Sequence, residues 1–142
     1  LMKYKFLEDT AIAESAFEAF GATDAELFEN AALAVFEVMA DTKKIQPKTK
    51  VEINLAAESF EELLFLWLSE LVFVKDVQEI VFGKFEAKIK KEKEFELNAK
   101  CFGEHIKYPD KRLRNDVKAV TKHLFSVKKE KGKFKATVVI DI

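Results

Sequence analysis

The last strand-like segment of the chain leads to two residues that could hold a metal ion. Residues 134–142 alternate between apolar and polar types and reach Asp141, with Ile142 after it. Aspartate is depleted in strands because its short charged side chain packs badly there, so Asp141 requires a partner. Its carboxylate and the terminal carboxylate of Ile142 are hard oxygen donors, which suit calcium or magnesium. A solvated residue pair, or an aspartate paired with a lysine, is the simpler interpretation, and the residues alone favour it.

Other reactive side chains do not form a recognisable catalytic set. The serines lack an accompanying histidine and aspartate, and His105 and His123 lie in unrelated contexts. The single cysteine, Cys101, cannot form an intrachain disulfide and has no zinc-type Cys/His cluster around it. Alternation places His123 on the same strand face as Phe125, which predicts a hydrogen-bonded core residue. We therefore expect a protein that is not an enzyme, with Cys101 buried.

The charge balance excludes a nucleic-acid binder that works through its overall charge. The 142 residues include 24 Lys and Arg and 25 Asp and Glu, which give a formal net charge of −1. Any RNA contact must therefore be indirect or use a local basic patch. One such patch precedes the last strand, although Glu130 interrupts it, and an exposed hairpin is its simpler interpretation; its lysines are Lys128, Lys129, Lys131, Lys133 and Lys135.

Neither a targeting segment nor a membrane span is predicted. The first residues lack a long apolar stretch followed by a small-residue cleavage site. The most apolar segment, Leu63–Val74, is interrupted by Ser69 and Glu70 and is shorter than the ~20 residues that cross a bilayer. We expect a cytoplasmic location.

Two helices are predicted from capping boxes that precede apolar residues at helical spacing. Thr23 with Glu26 opens the first helix, which should run to about Asp41. Ser59 with Glu62 opens the second. Apolar residues surround most of the second helix, which predicts that it is buried on more than one side.

Strands are predicted on both sides of these helices from alternating apolar and polar residues. They cover residues 4–8, 13–20, 51–55, 80–89, 95–99, 117–125 and 134–142. This order predicts an α+β fold with a mainly antiparallel β-sheet covered by two α-helices. No glycine-rich phosphate loop follows a strand, which argues against a P-loop or Rossmann fold.

Three segments carry a resemblance to a known family. They are Phe28–Met39 in the first helix, Val117–His123 in the penultimate strand and the closing Val139–Ile142. Together they resemble the archease family, and the match runs nearly end to end, so residues 1–142 are expected to form a single archease-like domain. The resemblance implies an accessory activator of an RtcB-type RNA ligase in tRNA splicing, which promotes ligase guanylylation and multiple turnover.

The resemblance also implies a metal site built from two aspartates. One belongs to an N-terminal His-Thr-Ala-Asp motif, and the other is the penultimate residue, which Asp141 matches. If Gly21 is aligned with the glycine that closes the family's second strand, the motif aspartate falls on Glu14 and its histidine on Ala11. We prefer this register because it needs no insertion before Gly21.

The alternative register starts from the Leu-Glu that opens the motif. It places Asp9 on the histidine and Ile12 on the aspartate. In the preferred register, the implied ligands are Glu14, Asp141 and Ile142, holding calcium or another hard divalent cation. Without the histidine, zinc is less suited to the site.

The resemblance suggests a ligand contact for Lys118. Lys118 lies in the family's Lys-Ala-(Val/Ile)-Thr segment and is a candidate contact for phosphate or for the guanylate of the ligase. An exposed strand lysine with no such role is nearly as good an interpretation.

A general chaperone or assembly module that binds partners through an apolar surface is the main rival function, and a modulator of a nucleic-acid methyltransferase is a weaker one.

Overall fold

The computed structural model describes residues 2–8 and 13–142. Within these ranges the chain forms seven strands and two α-helices. In chain order they are β1 Tyr4–Leu7, β2 Glu14–Gly21, α1 Asp24–Met39, β3 Thr49–Ala57, α2 Phe60–Gln78, β4 Ile80–Lys91, β5 Phe95–His105, β6 Ala119–Glu130 and β7 Lys133–Asp141. The predicted α+β class, with antiparallel strands and two helices, is confirmed.

The strands divide into two antiparallel sheets. The first has the order β1-β2-β7-β6 and the second the order β3-β5-β4. Each helix packs against strands of both sheets. The Phe60 ring, at the start of α2, shows how one core joins them: its centroid is 5.9 Å from that of Phe95 in the second sheet and 5.5 Å from that of Phe134 in the first.

The hydroxyl half of each predicted capping box is present and stabilises the first turn of its helix. The Thr23 hydroxyl accepts a hydrogen bond from the Glu26 amide at 3.1 Å, and the Ser59 hydroxyl accepts one from the Glu62 amide at 3.1 Å. The Trp67 indole in α2 is fully buried and donates to a carbonyl of α1 at 3.0 Å. Neither helix in the described ranges is long and apolar enough to cross a membrane.

The first sheet has one face in the core and one face turned away from it. Alternate residues of β2 and β7, such as Phe17 and Val138, belong to the hydrophobic core. The residues between them therefore point to the opposite side, which we call the outer face. On β2 and β7 the outer face consists of Glu14, Ala16, Glu18, Phe20, Lys135, Thr137, Val139 and Asp141.

Strand β6 departs from the predicted alternation. Its pairing with β7 shifts register between Thr121 and Ser126, and Leu124 adopts a left-handed backbone with φ 54°. The extra residues form a bulge, because β6 has more residues here than the stretch of β7 that it faces. His123 is exposed as a result, so its predicted place in the core is wrong.

An ion network fixes the long irregular segment that precedes β6. The nearly buried Glu104 carboxylate accepts from the Arg112 guanidinium at 2.8 Å and from the Gln46 amide at 2.8 Å. Arg112 also donates to both oxygens of Asp110, at 3.0 and 2.9 Å. The hydrogen bond from Gln46, assisted by Arg112, lowers the pKa of Glu104, and the bonds from Arg112 lower the pKa of Asp110 to about 2.

Candidate functional site

Glu14 and Asp141 lie directly opposite each other in neighbouring strands. They are the first and last residues of β2 and β7, and they form a cross-strand pair. Both side chains point to the outer face, where directly opposed Cβ atoms are separated by about 4.5–5.5 Å. Ala119 of β6, with its small side chain, continues the row beyond Asp141.

Backbone hydrogen bonds hold the ends of these strands in place. The Ile142 amide donates to the Ala13 carbonyl at 2.9 Å, and the Lys118 amide donates to the Asp141 carbonyl at 2.8 Å. The Ile142 side chain packs against the core. Only the backbone oxygen of Ile142 is therefore suited to act as a ligand. Lys118 is exposed, and its backbone is bonded directly to Asp141.

The acidic pair lies between solvent and a buried apolar row. The next outer-face row contains Ala16 and Val139, which are only 6% and 3% exposed. Glu14 and Asp141 themselves are half-buried. Partial burial lowers the effective dielectric around two carboxylates and strengthens their attraction for a cation.

The donor chemistry of the pair fits a hard cation. Its groups are two carboxylates, with the backbone oxygen of Ile142 as a third donor, and water usually completes such shells. Imidazole and thiolate groups lie elsewhere: His105 bonds the Gln78 carbonyl at 2.9 Å, His123 is in the β6 bulge and Cys101 is buried in β5. Among the described residues, no three His, Cys, Asp or Glu side chains cluster as a metal site would need.

The structure thus brings together some of the predicted site residues. Glu14, Asp141 and the Ile142 backbone meet at one end of the outer face, with Lys118 next to them. Asp9, the ligand candidate of the alternative register, lies outside the described residues.

A buried lysine that the sequence analysis missed anchors the start of β6. Lys75 in α2 donates to Asp116 at 2.7 Å, to the Val117 carbonyl at 2.8 Å and to Asp76 at 2.5 Å. These bonds tie α2 to the residues immediately before Lys118 and so help to position it. The sequence did contain a signal, which is the single lysine at the end of the long apolar run of α2. A lysine on a buried face must find polar partners, so its position indicated such contacts.

With this geometry described, the chain can be compared with known proteins. The model of the archease protein family matches residues 4–142. The chain belongs to the archease family. A relative named protein archease from Methanosarcina mazei is 42% identical over 142 residues, covering 99% of this chain and 96% of the relative. Another, from Methanothermobacter thermautotrophicus, is 39% identical over 140 residues, covering 98% of each chain.

Solved structures of the archease fold agree with the architecture described above. The solution structure of protein 1598 from Methanobacterium thermoautotrophicum superposes with a TM-score of 0.87 at 38% identity and covers 99% of each chain. The crystal structure of an archease from Thermotoga maritima, described as a possible chaperone, superposes with a TM-score of 0.63. At 20% identity over 93% of each chain, this second structure supports the fold alone.

Proposed function

We propose that this protein is an accessory activator of an RtcB-type RNA ligase in tRNA splicing. It promotes guanylylation and multiple turnover of the ligase, acts in the cytoplasm and is not itself the catalyst. Membership of the archease family supports the proposal. The single observation that carries its site is the cross-strand pairing of Glu14 with Asp141 on the outer face of the first sheet.

In this proposal Glu14, Asp141 and the backbone oxygen of Ile142 hold calcium or another hard divalent cation. When bound, the ion supplies a fixed positive charge next to the ligase surface. The chain's own contribution is to hold the two carboxylates in register through the β2–β7 ladder. Lys118 adds a compact cation beside them, suited to a phosphate or to the guanylate of the ligase.

The test is guanylylation and repeated ligation by the ligase with and without this protein. We expect the wild type to raise both rates, and D141N to leave them at the level of the ligase alone. E18Q is the matched control, because Glu18 lies in the same strand and on the same face but pairs with Thr137 in the register. Rates that do not respond to the wild-type protein would disprove the proposal.

A second candidate function, a general chaperone or assembly module, is favoured by one surface feature. Phe73 and Val77 are one turn apart on α2 and are 60% and 64% exposed. Exposed apolar side chains at this spacing form a stripe that could contact partially folded chains. Suppression of aggregation of an unrelated protein, lost in F73S/V77S and retained in D141N, would support this candidate over the ligase activator.

A further inference from the structure

The outermost strands of the two sheets differ in how well they are protected from pairing with another strand. Among the described strands, β1 and β6 end the first sheet, and β3 and β4 end the second. β1 has only four residues, and β6 is interrupted by its bulge. β4 is irregular between Phe82 and Lys84, and its Ala87 amide is covered by the Glu29 carboxylate at 2.9 Å. Short length, bulges and covering groups are the usual protection of sheet edges.

β3 lacks these protections. Its nine residues pair with β5 in an unbroken register, without proline or bulge. Val51, Ile53 and Leu55 face the core side, so no charge points inward. The two charged residues, Lys50 and Glu52, lie on the opposite side and pair with each other at 3.5 Å. A long, regular edge of this kind is a template for another strand.

The hydrogen bond of Ala87 fixes which backbone groups of β3 face outward. Because the Ala87 amide donates to Glu29, the backbone groups of Ala87 point away from β5. Its cross-strand partner Ala99 therefore directs its own groups to the other side, toward Ile53 of β3. By alternation, the residues whose amide and carbonyl groups lie at the free edge are Lys50, Glu52, Asn54 and Ala56. Within the described ranges these groups have no hydrogen-bond partner.

We propose that two copies of this chain pair antiparallel through β3, which joins their second sheets into one continuous sheet. The two-fold axis passes at Ile53, so that Ile53 of each copy faces its counterpart. Lys50 of one copy then lies opposite Ala56 of the second copy, and Glu52 lies opposite Asn54. All the outward backbone groups are used in this register, which gives about eight hydrogen bonds.

The side chains of β3 are complementary to themselves in this register. On the core side, Val51 lies opposite Leu55 of the second copy, and both are half-buried apolar residues that would gain cover. On the other side, the Asn54 side-chain oxygen already accepts from Asn98 within its own sheet. The Asn54 amide nitrogen is therefore available to donate to the Glu52 carboxylate of the second copy.

Other antiparallel registers use the edge less well. An axis two residues later would oppose Glu52 to Glu58, which carry like charges. An axis two residues earlier would oppose Lys50 to Glu52 favourably, but it would place the second half of β3 opposite residues that precede the strand. There the amides of Gln46 and Lys48 are already bonded to other groups. Only the axis at Ile53 pairs the whole of β3 with itself.

Sedimentation velocity from micromolar to near-millimolar protein tests the proposal, with no ligase present. We expect the wild type to form a dimer as the concentration rises. E52P removes an amide that has no partner within one copy, and proline is tolerated where the amide of an edge strand faces solvent. The variant should keep its fold and near-wild-type Tm, while the dimer dissociation constant rises about tenfold or more.

K91P is the matched control for this variant. The Lys91 amide also faces outward, by the same alternation from Ala87, but it lies on β4 at the opposite edge of the same sheet. K91P should therefore dimerise like the wild type. D141N should also do so, because Asp141 lies in the first sheet, which makes this pairing independent of the proposed metal site.

Two substitutions of the exposed Ala56 test the register. A56E places a carboxylate opposite Lys50 of the second copy and should tighten the dimer by about fivefold, whereas A56K should weaken it by a similar factor. Within one copy Ala56 faces Glu96, so the unfolding free energy of the monomer should change in the opposite sense.

This opposition of signs separates pairing from folding. A wild type that stays monomeric over the whole concentration range, equal dimerisation by E52P and the wild type, or an equal loss in K91P would overturn the proposal. So would a shift of the dimer dissociation constant in the same direction by A56E and A56K.

Discussion

Glu14 and Asp141 come from opposite ends of the chain and face each other as a cross-strand pair. The β2–β7 ladder holds them in register, and the bond from the Ile142 amide to the Ala13 carbonyl continues this pairing. On the other side of β7, the Lys118 amide donates to the Asp141 carbonyl. A single cation at this end of the sheet could therefore contact both carboxylates.

Calcium should stabilise the protein through this pair. At a concentration about 100 times its dissociation constant, a ligand adds about 2.7 kcal/mol to the free energy of unfolding, which corresponds to roughly 5–10 °C in Tm for a domain of this size. We expect this shift for the wild type and its loss in D141N and E14Q. Differential scanning fluorimetry with and without calcium measures it.

E18Q should keep the full calcium shift, because Glu18 is outside the pair. The donor set contains only oxygen, so zinc at neutral pH should stabilise the wild type less than calcium does. Stabilisation that is unchanged in D141N, or that is stronger with zinc, would contradict the site described here.

R112M should destabilise the protein most at neutral pH. Glu104 would lose its guanidinium partner, and Asp110 would lose its hydrogen bonds from Arg112. The pKa values of Glu104 and Asp110 are lowered in the folded state, so their contribution is present above the ordinary carboxyl range and is lost as pH falls through their folded pKa values.

The difference in unfolding free energy between wild type and R112M should therefore shrink as the pH falls from about 5 toward 2. Urea unfolding at several pH values measures this difference. K107M is the control, because Lys107 and Glu79 form an exposed pair at 3.5 Å, which should contribute less than about 1 kcal/mol. A difference that stays constant with pH would exclude an electrostatic role for Arg112.

G103A should destabilise far more than G132A. A Cβ atom on Gly103 would collide with the Val81 carbonyl oxygen of the neighbouring strand, where the backbone has no room to give way. We expect a loss of about 3 kcal/mol. Gly132 has open space around it, and its φ of 76° should cost alanine only about 1 kcal/mol. Chemical denaturation of both variants checks the order.

Cys101 should not react with thiol reagents in the folded protein. It is fully buried, and burial raises the pKa of its thiol to about 12, so almost no thiolate forms at neutral pH. Labelling should follow the rate of unfolding measured by fluorescence. In a K93C variant, the added cysteine in the exposed β4–β5 turn should react at once, and equally fast labelling of Cys101 would contradict its burial.

Local patterns in the sequence were sufficient to predict the helices, the strands and the fold class. Thr23 and Ser59 cap the two helices as predicted, because a cap depends on residues only three positions apart. Burial of Cys101 also followed from its residue type. The β6 bulge could not be predicted in this way, because the register between β6 and β7 depends on which residues of both strands can pack. The predicted core position of His123 was wrong for that reason.

The sequence by itself determined an α+β chain with two capped helices, antiparallel strands and acidic residues near both ends. Tertiary structure alone decided that the strands divide into two sheets and that Glu14 faces Asp141. The physical reason is distance along the chain: helix caps and alternation are local, whereas strand pairing between residues far apart is set by the packing of the whole core.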